Sequence, residues 1–199
     1  DYAVPATAFD ILQPSLNIAQ LSDPVLVLRH MSEAISSKLL AGRWDGNYAD
    51  GKRPGFWSSS LQIVKEFQTT KSKVKYGQCW VFAALGTSFS RAMGIPARTV
   101  TNYDSVHIRG GDGSGECHSY FSQKADGSWS VDSSKSNYSI WNFHVFLDAH
   151  IHKRRDGAGN GWQSVDPTPQ ERSLQGPNVA PFNKNGFMMG PVSLDRLNA

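Results

Sequence analysis

One stretch decides how this chain folds: Tyr76-Gly77-Gln78-Cys79-Trp80-Val81-Phe82-Ala83. Apolar side chains then recur with the spacing of one helix face: Phe82, Leu85, Phe89 and Met93. The pattern predicts an amphipathic helix from Cys79 to Met93, which Pro96 prevents from continuing. Cys79 then lies at the helix N-terminus, where free backbone N–H groups and the helix dipole stabilise a thiolate.

Cys79 has two interpretations. A free cysteine is often a small, buried core residue with no chemical role. The place of Cys79 at a helix start, between Gly77 and Trp80, favours a reactive nucleophile instead. The chain contains two cysteines, so a nucleophilic Cys79 leaves Cys117 unpaired and predicts a fold that does not depend on oxidation.

Beyond Pro96 the hydrophobic pattern changes to a period of two, which is typical of strands. Five segments have this pattern: residues 98–103, 119–123, 129–132, 142–149 and 161–165. We therefore predict an α+β fold, in which the helix that begins at Cys79 packs on an antiparallel sheet of about five strands.

Two further helices are predicted upstream of this core. Residues 25–40 carry apolar side chains at helical spacing, and Asp23-Pro24 supplies an N-cap followed by a proline in the first turn. A shorter helix is expected over residues 61–67. Residues 42–60 hold three aromatic side chains between glycines, and they predict an ordered loop.

The composition limits the classes of protein that need to be considered. A chain of 199 residues with 39% hydrophobic content predicts one domain over residues 1–199, with irregular segments at 1–23 and 177–199. The net charge of +3 is too small and too dispersed to indicate a nucleic-acid partner. No apolar run approaches a membrane span, and no signal-peptide pattern is visible. We expect a soluble domain, and the sequence indicates no compartment.

An imidazole and a carboxylate lie on the last two predicted strands. His144 belongs to Trp141-Asn142-Phe143-His144, and Asp166 follows the strand at 161–165. If residues 150–160 form a hairpin loop, its centre is residue 155, and His144 then lies directly opposite Asp166. Side chains of directly opposed residues lie within hydrogen-bonding reach, so the Asp166 carboxylate could orient the His144 imidazole.

Cys79, His144 and Asp166 together form the residue set of a nucleophilic triad, in which the imidazole activates the thiol and the carboxylate orients the imidazole. A nucleophile helix packed on strands that bear His and then Asp is a papain-like arrangement. The reaction class is acyl transfer through a thioester. The triad alone leaves three alternatives open: a transferase, a papain-like hydrolase (deamidase, protease or peptide deglycosylase), and a non-catalytic scaffold.

Three blocks narrow these alternatives. The segments YGQCWVFA, WNFHVF and GWQSVDPTPQE closely resemble the catalytic core of animal-type transglutaminases, enzymes that join glutamine side chains to amines. The resemblance covers residues 24–176 and implies protein-glutamine gamma-glutamyltransferase activity. It also implies glutamine-containing protein substrates, with lysine side chains or polyamines as the amine donors.

The resemblance also implies roles for two tryptophans. The segment from Gly42 to Gly51 is similar to the family pattern GRWDxNYxDG, whose Trp indole N–H stabilises an oxyanion, and Trp44 occupies that position. Trp141 matches the second family tryptophan, which walls the channel through which the amine arrives.

Calcium is the one point on which the sequence departs from the family. Relatives bind it through a loop rich in Asn and Asp upstream of the GRWD segment, but residues 31–41 here offer one carboxylate, Glu33. Calcium takes six to eight oxygen ligands, several of them carboxylates. We therefore predict that no cofactor is required, and that any weak calcium site involves Asp104 and Asp112.

Overall fold

The computed structural model describes residues 2–108, 119–136, 138–152 and 161–169. Its α-helices are α1 (Ala3–Leu12), α2 (Pro24–Ala34), α3 (Ser60–Thr70) and α4 (Cys79–Ala92). Short 3-10 turns lie at Gln20–Ser22 and Pro54–Phe56, and one π-helical turn lies at Ile35–Leu39. The strands are β1 (Leu40–Gly42), β2 (Val74–Gly77), β3 (Ala97–Ile108), β4 (Phe121–Gln123), β5 (Trp129–Val131), β6 (Tyr138–Ile151) and β7 (Gly161–Val165).

The predicted irregular N-terminal segment is wrong, because residues 3–12 form a helix. The buried side chains of α1 include Ala8, Ile11 and Leu12, which join the hydrophobic core. Thr7 also accepts a hydrogen bond of 2.9 Å from Gln68 Nε2 of α3. The Pro, Ser and Asn content of residues 1–23 concealed this short apolar face. The predicted C-terminal tail at 177–199 lies outside the described residues.

The predicted start of α2 is confirmed. The Asp23 carboxylate accepts a hydrogen bond of 3.0 Å from the backbone N–H of Val25, as an N-cap does. The regular helix ends at Ala34, and the chain makes one wider turn before it straightens at Leu40 into β1. In that turn the Ser36 hydroxyl donates to the carbonyl of Ser32 at 3.1 Å. Such hydrogen bonding back to the preceding turn is one way that a serine distorts a helix.

The strands confirm the α+β class but not a single five-stranded sheet. Strand β6 lies at the centre of a three-stranded antiparallel sheet, between β3 and β7. Strands β4 and β5 instead form a separate hairpin, closed by the turn at Gly127, whose φ of 83° is suited to glycine. Strands β1 and β2, which pair in parallel, were missed because segments of three and four residues carry too little pattern.

Helix α4 packs closely on the central sheet. Its core-facing side chains Phe82, Leu85 and Phe89 are fully buried. A Cβ atom at Gly86 would lie 2.8 Å from Leu147 Cδ2 of β6, so a glycine is needed for this approach. The packing fixes the start of α4 against the part of β6 that carries His144, as the sequence predicts.

Candidate active site

Cys79 is the first residue of α4 and directly follows Gln78, whose extended backbone (φ −129°, ψ −177°) brings the chain from β2 into the helix. Gly77 allows this passage, because a side chain there would collide with Leu40 of the paired strand β1. Cys79 is a free thiol and is only 4% exposed. The backbone N–H groups at the start of a helix have no carbonyl of a preceding turn to bind, so the N-terminus of α4 can stabilise negative charge that develops near Cys79.

The structure brings His144 and Asp166 together. His144 Nε2 and Asp166 Oδ2 are 2.5 Å apart, and both side chains are buried. Asp166 Oδ1 accepts a hydrogen bond of 2.9 Å from the backbone N–H of Thr168, which fixes the carboxylate. The carboxylate therefore holds the imidazole in one orientation, as a triad requires.

The predicted hairpin register is wrong in detail. Strand β6 ends at Ile151, which pairs with Gly161, and Leu147 pairs with Val165. Extending this register places Asp166 opposite Phe146, so His144 is its diagonal neighbour. The error is two positions along β6, and side chains alternate between faces with a period of two. His144 therefore stays on the predicted face, within reach of Asp166.

The charge state of His144 depends on both neighbours in the triad. Burial alone lowers its pKa, but the charge and hydrogen bond of Asp166, together with Cys79, outweigh burial and raise the pKa to about 10. His144 Nδ1 is buried and has no hydrogen-bond partner among the described residues. Nδ1 is the ring atom available to move a proton.

We expect His144 to remain protonated at neutral pH. Because its folded pKa of about 10 lies above the ordinary 6.5, the stabilisation from the protonated ring is complete below about pH 6.5 and lost as the pH rises toward 10. In Asp166→Asn the ring should titrate at a lower pH. NMR titration of labelled histidine would measure this, with the wild-type protein titrated in parallel. A wild-type His144 that titrates near 6.5 would contradict the assignment.

Both predicted tryptophans border the same cleft as the thiol. An open cleft of about 340 Å³ is lined by Trp44, Gln78, Cys79, Trp80, Ile140, Trp141, Asn142 and Phe143. The Trp141 ring meets the His144 ring edge to face, with 5.4 Å between centroids. Trp44 is 45% exposed, so it is not an ordinary core residue. A Cβ atom at Gly42 would lie 2.5 Å from Trp44 Cζ3, so the indole lies directly over that glycine.

A polar cluster that was not predicted from the sequence braces the loop bearing Trp44. The Asp50 carboxylate accepts hydrogen bonds from Arg43 at 2.9 Å and from Lys75 and the Tyr76 hydroxyl at 2.8 Å each. The hydrogen bonds from Lys75 and Tyr76 hold the pKa of Asp50 well below its usual range. The Arg43 guanidinium also lies 4.0 Å from the centroid of the Tyr76 ring. The signal was present in the GRWDxNYxDG segment, which contains both Arg43 and Asp50.

The predicted calcium ligands lie only partly within the described residues. Within them, no three His, Cys, Asp or Glu side chains lie close enough together to hold a metal ion. The upstream segment packs Met31, Ile35 and Leu39 into the core instead of forming an acidic loop. Asp104 is exposed in β3 with a φ of 50°, whereas Asp112 and Cys117 lie outside the described residues.

In the part of the chain that is described, no helix has both the length and the apolarity to cross a membrane.

This geometry agrees with comparisons to known proteins. The chain is 38% identical over 179 residues to the hemocyte protein-glutamine gamma-glutamyltransferase of Tachypleus tridentatus, covering 87% of this chain and 23% of the relative. It is 40% identical over 169 residues to human protein-glutamine gamma-glutamyltransferase 4, covering 82% of this chain and 24% of that protein. The chain thus spans about a quarter of the length of these curated relatives.

A solved structure and a family profile extend the comparison. The crystal structure of red sea bream transglutaminase aligns with a TM-score of 0.71 and 32% identity, covering 94% of this chain and 28% of that one. The profile of the transglutaminase-like superfamily matches residues 48–167, which include Cys79, His144 and Asp166. The chain therefore belongs to the transglutaminase-like superfamily and has the α+β fold of a transglutaminase core.

Proposed function

We propose that this domain is a protein-glutamine gamma-glutamyltransferase, which forms isopeptide bonds between glutamine side chains and primary amines. One observation carries the proposal: a buried thiol at a helix N-terminus lines a cleft together with Trp44 and Trp141, and the buried His144–Asp166 pair lies beside that cleft, with the His144 ring against Trp141. The relatives' names point to the same activity.

In the first half-reaction, the Cys79 thiolate attacks the carboxamide carbon of a glutamine side chain. The carbonyl oxygen becomes an oxyanion, which the Cys79 backbone N–H and the Trp44 indole N–H would stabilise. The C–N bond then breaks, and the protonated His144 gives its Nδ1 proton to the departing ammonia. A thioester on Cys79 and a neutral His144 remain.

In the second half-reaction, a primary amine attacks the thioester and His144 takes up its proton. The C–S bond breaks, an amide forms and the thiolate returns. Water competes with the amine for the thioester. The aromatic side chains of Trp44 and Trp141 favour the amine by limiting the access of water. The substrates are glutamine-containing proteins, and the amines are lysine side chains or polyamines.

A papain-like hydrolase would use the same triad, so the test must separate amine transfer from hydrolysis. The domain is incubated with a glutamine-rich protein and a fluorescent primary amine, and both label and released ammonia are measured. The proposal predicts covalent label in proportion to ammonia. Ammonia release and glutamate formation without label would refute the transferase and identify a deamidase.

We also propose that turnover does not require calcium, because the described part of the chain lacks a suitable set of carboxylates. Amine incorporation should be unchanged by an excess of EGTA and by added sub-millimolar calcium. Isothermal titration with calcium provides a readout that does not depend on activity. Activity that EGTA removes and calcium restores would contradict this proposal, and Asp104→Asn with Asp112→Asn would then test the first ligands.

A further inference from the structure

Gln78 connects the two elements that bear the proposed oxyanion donors. Its side-chain Nε2 donates one hydrogen bond to the carbonyl of Arg43 at 3.0 Å and another to the Tyr48 hydroxyl at 3.1 Å. The Arg43 carbonyl belongs to the peptide bond that directly precedes Trp44. Gln78 itself directly precedes Cys79. One half-buried amide therefore spans from the start of the nucleophile helix to the loop that carries the indole.

This side chain does not serve the helix. Gln78 is the N-cap residue of α4, but its side chain makes no capping hydrogen bond. Its backbone carbonyl alone accepts the first helical bonds, from Val81 at 2.8 Å and Phe82 at 3.1 Å. Ser, Thr, Asp or Asn would cap the helix better, because their shorter side chains reach the free N–H groups. The amide nitrogen of Gln78 is thus directed at the Trp44 loop.

The Trp44 indole lies at the surface of the cleft. It is 45% exposed and rests on Gly42. The Arg43–Asp50 ion pair of 2.9 Å also braces the loop, but neither residue belongs to α4. The Tyr48 hydroxyl lies 3.4 Å from the same Arg43 carbonyl, so Gln78, Tyr48 and Arg43 form a closed set of contacts around the peptide before Trp44.

We propose that Gln78 is a positioning residue, which sets the placement of the Trp44 indole N–H relative to the Cys79 backbone N–H and so assembles the oxyanion site. This inference rests on the proposed function, because it assumes a tetrahedral oxyanion on Cys79. Gln78 does not touch the reacting atoms. A displaced donor loses much of the stabilisation that preorganisation provides, and a misplacement of about 1 Å can cost on the order of 10²-fold in rate.

The test is a double-mutant cycle between Gln78→Met and Trp44→Phe. Methionine keeps the length of the side chain but removes both N–H donors, and phenylalanine keeps an aromatic ring but removes the indole N–H. The rate of acylation is measured as the burst with p-nitrophenyl acetate. Alkylation by iodoacetamide is measured in parallel, because it reports on the thiolate without forming an oxyanion. Gln68→Met is the matched control, since it removes a half-buried amide donor to Thr7 far from the cleft.

Gln78→Met should slow acylation by about 10- to 100-fold while alkylation stays within about twofold. Trp44→Phe should lower acylation by about 10²-fold, and Gln78→Met should then add less than about threefold. Gln68→Met should acylate at the wild-type rate. Equal losses from Gln78→Met in both backgrounds, an unchanged burst, or an equal fall in alkylation would each overturn the inference.

Tyr48→Phe gives a second arm if Gln78→Met does not fold. This change removes the hydroxyl that accepts the hydrogen bond from Gln78. It should slow acylation in the burst assay while the rate of alkylation stays unchanged. In the Trp44→Phe background it should have no further effect on acylation. An acylation rate in Tyr48→Phe equal to that of the wild type would count against the inference. A wild-type protein that shows no burst at all would instead refute the proposed function itself.

Discussion

Cys79→Ala is expected to abolish amine incorporation, because no other thiol lies at the cleft among the described residues and the thioester cannot form. The measurement is transfer of a fluorescent primary amine to a glutamine-rich protein. The change is small in volume, so the circular dichroism spectrum and thermal midpoint should stay close to those of the wild type.

The other cysteine supplies the matched control for this experiment. Cys117→Ala should incorporate amine at the wild-type rate, because the sequence predicts an unpaired thiol outside the triad. Amine incorporation that survives in Cys79→Ala would reject Cys79 as the nucleophile. Loss in both variants would mean that the effect comes from folding and not from chemistry.

Asp166→Asn is expected to reduce turnover by about 10²- to 10⁴-fold. The asparagine keeps the shape of the side chain, but it removes the charge that holds His144 protonated and oriented. Turnover with a glutamine donor is the measurement, and the loss should appear in kcat more than in KM. Some activity should persist, because the nucleophile and the oxyanion donors remain.

Asp148→Asn is the matched control on the same sheet. Asp148 lies on β6 but contacts Arg98 at 3.2 Å and Ser164 at 3.1 Å, away from the imidazole. The turnover of Asp148→Asn should stay within about threefold of the wild type, since asparagine can still hydrogen-bond to Arg98 and Ser164 and the change does not touch the imidazole. Comparable losses in Asp148→Asn and Asp166→Asn would show that any carboxylate change on this sheet damages the enzyme, and the orienting role would fail.

The helix α4 and the proximity of His144 to Asp166 were predictable because their signals are local. The apolar period from Phe82 to Phe89 predicts α4, and the position of Cys79 follows from where that period begins. The alternation of apolar side chains around His144 predicts the face of the sheet on which the imidazole lies. That face decides whether Asp166 can reach the imidazole. The error in register came from the hairpin loop, whose ends the sequence does not mark sharply. This error did not affect the predicted proximity of His144 and Asp166, because a shift of two positions leaves each side chain on the same face of the sheet.

The elements that were missed depend on partners distant in sequence. Helix α1 is stabilised by contacts of Leu12 and Thr7 with other helices, and strand β1 exists because Leu40 pairs with Val74. The positioning contacts of Gln78 and Asp50 are of the same kind, since each joins segments more than 20 residues apart. Composition and periodicity report on neighbours in the chain, so they cannot reveal such contacts.

The central claim is that Cys79 carries the acyl group. The most direct measurement is intact-protein mass spectrometry after brief acid quenching of the domain mixed with a glutamine-donor peptide, followed by peptide mapping. The account predicts an adduct with the mass of the donor minus one ammonia, located on the peptide that contains Cys79, and its discharge as an amide when a primary amine is added. An adduct on another residue, or label transfer to amine without any adduct on Cys79, would contradict it.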